Sequence, residues 1–314
     1  MFLKRITCEF DYFYPIMQFS KAIEILGHAG AVYACTASGD YLYSASADKH
    51  VVRWFLTDGK QDKFAIKFNH SVYSLESMAS RYLFAGLSSG DFHIFDLQKN
   101  EEVKFYKQHK KAIFSIRYNE VKKQLYVGDA DGNLSVWDSE TLELIIYLPL
   151  DCGKIRSIAI SNDGCNFALA CQDGEIRVFE SEFFNEINSF YAHENGATAV
   201  LFHPVKKDLL ISGGKDALLK VWNWKKENEL QKIIAHTFAI YDLIAVEQGR
   251  TIISASRDKH VKIWKLEDQL LQISQRLDAK QGGHKHSVNA LAKISENKFA
   301  SCSDDKKIIV WELS

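Results

Sequence analysis

Seven aromatic residues recur along this chain at a nearly fixed interval. Trp54, Phe95, Trp137, Phe179, Trp222, Trp264 and Trp311 are separated by 41, 42, 42, 43, 42 and 47 residues. A period of that length restricts the fold to architectures built by repeating one supersecondary unit, and seven units fill the sequence. Each aromatic ends a short alternating segment, as in Val51-Val52-Arg53-Trp54, Ile176-Arg177-Val178-Phe179 and Val261-Lys262-Ile263-Trp264, which is the period of a strand. A second apolar strand precedes each, joined by turn residues tolerant of positive φ such as Ser89-Gly90, Asp131-Gly132 and Asp173-Gly174. A further strand lies upstream (Val32-Tyr33-Ala34-Cys35; Ala197 to Phe202) and another follows the aromatic (Phe64 to Phe68). With no sustained 3.6-residue apolar periodicity, a helical repeat of similar length is disfavoured. Each unit therefore reads as four strands, and the fold class as all-β.

These units resemble the WD40 repeat, a four-stranded propeller blade of about 40–45 residues that opens with Gly-His and closes with Trp-Asp. Gly27-His28 and Gly283-His284 match the opening, while Gln108-His109, Ala192-His193 and Ala235-His236 keep only its histidine. Trp137-Asp138 is the intact closing pair, and Phe95-Asp96 keeps half of it. The resemblance covers residues 20–314 and implies a seven-bladed β-propeller of four-stranded antiparallel blades. The last unit stops at Trp311-Glu312-Leu313-Ser314 without a fourth strand, and Lys21 to Leu26 form an orphan strand before His28. The ring is therefore expected to close by pairing of the N- and C-terminal strands. Residues 1–19 fall outside the repeats; they read as a partner-binding arm or as sequence upstream of a true start at Met17.

The family also carries a buried hydrogen-bond network of tryptophan, serine, histidine and aspartate in each regular blade. Matching positions supply all four members in four blades: Trp54, Ser44, His28 and Asp48; Trp222, Ser212, His193 and Asp216; Trp264, Ser254, His236 and Asp258; Trp311, Ser301, His284 and Asp305. Indole, hydroxyl and imidazole each need a partner once buried, so such a chain ties strands and a loop together. Blade three has His109, Asp131 and Trp137, but Val127 stands at the serine position, and its network is expected to be cut. Blade two (Ala85, Ser89, Phe95) and blade four (Asp151, Leu169, Asp173, Phe179) depart further, and are expected to fold by packing alone.

Composition limits the function classes. Lysine plus arginine (39) nearly balances aspartate plus glutamate (40), so no overall field draws in a polyanion such as nucleic acid. Six scattered cysteines (Cys8, Cys35, Cys152, Cys165, Cys171, Cys302) form no Cys-x-x-Cys pair, which fits reduced thiols and a cytoplasmic protein. Glu9 and Asp11 interrupt the only export-like stretch, and no apolar run of about 18 residues is present.

Three local patterns resemble chemistry. Gly86-Leu87-Ser88-Ser89-Gly90 fits a nucleophile elbow, but that motif needs a strand-to-helix turn and here runs from strand to strand. His284-Lys285-His286 lacks the cysteines or His-Glu-x-x-His spacing of a metal site, and Gly213-Gly214-Lys215 lacks the spacing of a phosphate loop. Repetition of Ser, His and Asp in many blades argues for a brace, since a catalytic triad is needed once. No catalytic residue, metal or cofactor is expected.

The resemblance implies that partners dock on the wide face around the central channel. Docking there uses residues just after the anchor of each first strand and just before each network aspartate. After Val32, Val72, Ile113, Ile155, Ala197, Ile240 and Val288 come Tyr33, Tyr73, Phe114, Arg156, Thr198, Tyr241 and Asn289. Before the turn aspartates come Lys215, Arg257 and Asp304, with Gln172 in blade four. Four aromatics and three cations are thus expected at one channel mouth, suited to a peptide with an aliphatic or acidic anchor. The bland alternative is that these rings pack against neighbouring loops. The expected function is a non-enzymatic protein–protein interaction scaffold, monomeric by itself, that binds peptide or protein partners. The alternatives are a nucleic-acid-associated adaptor and a propeller enzyme.

Overall fold

In the computed structural model, which describes residues 18–78 and 81–314, the chain forms seven four-stranded antiparallel sheets. Blade one runs in order from the inner strand Val32–Ser38 through Tyr41–Ser46 and His50–Phe55 to the outer strand Gln61–Lys67, and the next five repeat that order. The inner strands of successive blades pack side by side, and those of the first and seventh blades (Val32–Ser38 and Val288–Ser295) also meet. The sheets thus form a closed ring around a channel.

Burial follows strand position. The second strand of blade two, Tyr82–Leu87, is buried at every residue, whereas its outer strand Glu101–Tyr106 has no buried residue. That gradient is why the second strands read as continuous apolar runs and the outer ones as mixed. A separate apolar cluster fills each junction between blades. Tyr43, Val51 and Phe64 of blade one meet Leu75, Leu83 and Phe95 of blade two, and Trp54 of blade one meets Ile308 and Val310 of blade seven. Each fully buried aliphatic or aromatic side chain contributes about 1.5–3 kcal/mol, so the ring is held by its junctions.

Close approach at those junctions dictates small residues. A Cβ on Gly86, Gly128 or Gly213 would lie 2.5–2.7 Å from Cγ2 of Ile113, Ile155 or Ile240, the anchor of the next blade's inner strand. The other blades place Ala45, Ala170, Ala255 and Cys302 at the matching position, all buried.

The seventh sheet contains three strands from the end of the chain and one from its beginning. Phe19–Ile25 pairs antiparallel with Ile308–Leu313, Phe19 opposite Leu313 and Ile25 opposite Ile308. Gln18 and Ser314 exchange backbone hydrogen bonds of 3.1 and 3.0 Å. From blade six the Gln275 carboxamide both accepts from the Phe19 amide and donates to its carbonyl, at 2.9 and 2.8 Å. The seam therefore begins two residues earlier than the sequence boundary at 20. The rest of the expected N-terminal arm, with the alternative start at Met17, lies outside the described residues.

Among the described residues no helix is long and apolar enough to cross a membrane, and Cys35, Cys152, Cys165, Cys171 and Cys302 are free thiols. Gly86 to Gly90 runs from a strand into a hairpin and on toward the strand Phe92–Asp96.

Candidate functional site

Two sets of side chains carry the sequence-derived expectations: the braces inside the blades and the residues at the channel mouth. In blade one the Trp54 indole N–H donates to Ser44 Oγ at 2.7 Å, and His28 contacts Ser44 Oγ through Nε2 (2.7 Å) and Asp48 through Nδ1 (2.9 Å). Burial lowers the pKa of His28, so the ring is neutral at pH 7. Ser44 then donates to Nε2, and Nδ1–H donates to the carboxylate. The same connections join Trp222, Ser212, His193 and Asp216. They recur in Trp264, Ser254, His236 and Asp258, and in Trp311, Ser301, His284 and Asp305. Both nitrogens of His284 are thereby occupied. The aspartate also accepts the amide two residues on, as from His50 to Asp48 at 3.0 Å. That bond steadies a turn in which non-glycine residues such as Lys49 (φ 70°) and Lys259 (φ 77°) adopt the left-handed region.

These braces make stability depend on pH with one sign. Burial lowers the pKa of His28 and His236; below about pH 6.5 the unfolded chain binds protons that the folded one does not, and stability falls. Burial pushes the Asp305 carboxyl up, but hydrogen bonds from His284 and the Lys285 and Lys307 amides outweigh it and hold the pKa at about 2. Its contribution, about 2 kcal/mol, is present above pH 4 and lost as pH falls toward 2. The melting temperature should decline from pH 7 to 5 and then more steeply below 4; a flat profile from 7 to 5 would contradict neutral buried histidines.

Blade three corrects the sequence reading. Its network is complete, but Val127 and Asp131 are not where it runs. Ser135, directly across the strand pair from Val127, accepts from the Trp137 indole at 2.8 Å and contacts His109 Nε2 at 2.8 Å. Asp129, not Asp131, meets His109 Nδ1 at 2.8 Å. Asp129 also takes the amides of Asp131 and Asn133, each at 2.9 Å. The hydroxyl has crossed to the neighbouring strand while keeping its place in space. Ser135→Ala should therefore cost about 1–3 kcal/mol in urea denaturation, because two buried groups lose their shared partner; a cost below about 0.5 kcal/mol would mean that the hydroxyl braces nothing.

Blades two and four lack the brace, as their sequences indicate. At the position matching Ser135, blade two has His93, paired with Glu102 at 2.6 Å and stacked on Phe105. Blade four has Arg177, bonded to Asp173, Glu175 and the Leu150 carbonyl at 2.9, 3.1 and 3.0 Å.

At one end of the channel the expected residues converge on a cavity of about 380 Å³. Tyr33, Tyr73, Phe114, Arg156, Tyr241, Asn289 and Asp304 all line it. Tyr33 meets Tyr73 edge to face at 4.9 Å, Tyr73 stacks on Phe114 at 5.4 Å, and the Arg156 guanidinium lies over the Phe114 ring at 4.5 Å and 5.8 Å from that of Tyr241. The side chains form a continuous arc across blades one to four, with Tyr241 facing it from blade six. On the other side the Asn289 carboxamide donates to Asp304 at 2.8 Å and to the Val32 carbonyl at 2.9 Å.

Four expected positions do not line it, among them Gln172, which is exposed and accepts the Lys154 amide at 3.3 Å. Lys215 and Arg257 are exposed outside the cavity lining, Arg257 over the Phe238 ring, and Thr198 is buried with its hydroxyl bonded to the Gly213 and Ile240 carbonyls. Sequence reasoning missed a deeper layer in which Arg117 stands 3.5 Å from Glu76 and near Asp242. Burial pushes the pKa of both carboxyls up. The signal for this layer was alternation: Glu76 and Arg117 each lie four residues after an anchor and Asp242 two after.

A ring of seven hairpin-built blades, five of them braced in this way, defines a WD-repeat propeller. The family model described as "WD domain, G-beta repeat" matches residues 20–54, 100–138, 184–223, 227–265 and 276–312, and the chain belongs to the WD40-repeat family. The five matched segments are the blades with a complete brace, blade three included. Among relatives, the nuclear distribution protein PAC1 of Fusarium vanettenii is 30% identical over 134 residues, 39% of this chain and 29% of that protein. The periodic tryptophan protein 2 homolog of Dictyostelium discoideum is 23% identical over 241 residues, 75% of this chain and 26% of the relative. The serine-threonine kinase receptor-associated protein of Gallus gallus is 26% identical over 249 residues, 76% of this chain and 68% of the relative. The match spans less than a third of the nuclear distribution relatives.

Proposed function

We propose that the protein is a non-enzymatic adaptor of the cytoplasm that receives an extended segment of a protein partner at the channel mouth. The observation that carries this reading is the arc of Tyr33, Tyr73, Phe114 and Arg156 with Tyr241 opposite, all partly exposed around one cavity. Aromatics and arginine combine large contact area with directional bonding, and they dominate the energetic centres of interfaces. A rigid ring presents them at little entropic cost to binding. The printed names of the chicken and fungal relatives describe association with a receptor and nuclear distribution, which agrees with an adaptor role. The near balance of charge gives a nucleic-acid adaptor no comparable support.

The test compares wild-type protein with a Tyr33→Ala, Phe114→Ala, Tyr241→Ala variant of unchanged thermal unfolding. A partner captured by wild type is purified and titrated against both. Losing three rings from one contact should weaken binding at least a hundredfold. Equal affinity for the two would place the contact elsewhere on the ring.

A further inference from the structure

The cations of the channel differ in how they are answered. Arg117, in the deeper layer, faces Glu76 at 3.5 Å and lies near Asp242. The Asp242 carboxylate is itself occupied by the Leu243 and Leu291 amides, both at 2.8 Å. Asp304, across the mouth, is held by Asn289. Arg156 has no such partner. Among the described residues no carboxylate lies within ion-pair distance of it and no hydrogen-bond acceptor reaches it; its contacts are the Phe114 and Tyr241 rings. Burial depresses its pKa, the mark of a charge that the fold desolvates without compensating. Lys154, whose ammonium is 5.7 Å from the Phe114 ring, adds a second positive charge on the same side.

We infer that the mouth recognises a carboxylate, seated on the Arg156 guanidinium between Phe114 and Tyr241, as the anchor of the partner segment. Aromatic rings cover the guanidinium faces without accepting its in-plane N–H groups, so the fork that matches a carboxylate is left for the occupant. A cavity of about 380 Å³ is at the small end of ligand pockets and admits one acidic side chain with its neighbours. The paired layer of Arg117, Glu76 and Asp242 beneath supplies no uncompensated positive charge, so the anchor stops at the depth of Arg156. A lysine or arginine anchor placed at that seat would meet the charges of Arg156 and Lys154 and be repelled from it.

The inference rests on the proposed docking at the mouth, and one selection separates the two. Random dodecapeptides are displayed in two formats, one with an internal and one with a free C-terminus, and selected on wild type, on Arg156→Gln and on Arg156→Glu. Each variant is first checked to melt like wild type. Wild type should enrich peptides with Asp or Glu at one fixed position, or a free C-terminal carboxylate in the second format. Those peptides should lose about ten- to a hundredfold in affinity on Arg156→Gln. Selection on Arg156→Glu should replace the acid with Lys or Arg. If enriched peptides are lost on Tyr33→Ala with Tyr241→Ala yet carry no fixed acid, or bind Arg156→Gln unchanged, the carboxylate anchor is wrong and mouth docking stands. If no enriched peptide depends on any mouth residue, both fail.

Discussion

Replacement of His236 by leucine is expected to destabilise the ring by about 3–5 kcal/mol, one of the largest costs of any single substitution in this protein. The imidazole is 2% exposed and joins Asp258 to Ser254 at 2.9 and 2.8 Å. Burial pushes the Asp258 carboxyl up, but the hydrogen bond from His236, with those from the Thr237 and His260 amides, outweighs it and holds its pKa far below the usual range. Leucine fills the space and accepts or donates nothing. It leaves an ionised carboxylate that is 8% exposed without its main hydrogen-bond donor, and a buried charge left uncompensated costs in that range. Ser254 would keep only the Trp264 indole. The measurement is guanidinium denaturation of the variant beside Asp258→Asn, which removes the charge and should recover part of the loss when combined with it. A cost below 1 kcal/mol for His236→Leu would show that the braces are ornaments on a ring held by its junctions alone.

Deleting residues 18–26 should have a larger effect, the loss of a single cooperative transition. The seam strand buries Phe19 and Ile25 to 3% and 1% exposure, and its register covers Ile308–Leu313 from end to end. Without it, Ile308–Leu313 becomes an unpaired edge carrying Trp311, an open template for association. Phe299 loses the ring of Phe19, 5.1 Å away, and the Lys307 ion pair with Glu24 at 2.7 Å goes too. The truncated chain is expected to elute as aggregate and to bind hydrophobic dye. A milder variant, Ile25→Asp, should stay monomeric but lose about 3 kcal/mol or more, since it buries an unpaired charge. A truncated chain that remains monomeric with the wild-type melting temperature would remove closure from the account of stability.

The fold was legible because the repeat period and hairpin turns are local properties written seven times over. The seam was legible from a unit lacking its last strand and an orphan strand at the other end. Blade three was not, because its Ser135 keeps the brace by crossing to the partner strand, and a linear motif has no coordinate for cross-strand exchange. Asp129 escaped for a related reason: distance from Trp137 pointed to Asp131, while the fold uses the residue that ends the second strand. At the mouth, the position after the inner-strand anchor identified the lining residue in every blade but the fifth, where the Thr198 hydroxyl turns to backbone carbonyls, since a strand start largely fixes which way that residue faces. Lys215 and Arg257 did not follow, because a turn does not fix direction in the same way. The pairing of Arg117 with Glu76 and Asp242 joins three blades, and only ring geometry brings those together.

The seam register also decides how this ring can be attached to anything else. Asn289 begins an inner strand at the mouth, Lys298–Ser303 returns toward it to deliver Asp304, and Ile308–Leu313 leaves again. Leu313 therefore reaches the opposite face, and Phe19, its partner in register, starts there. Gln18 and Ser314 lie together on the far side from Tyr33 and Arg156, so the mouth and the two points of tether occupy opposite poles. A surface, a label or a second polypeptide fused at Gln18 or Ser314 holds the ring from behind, and leaves the mouth facing outward.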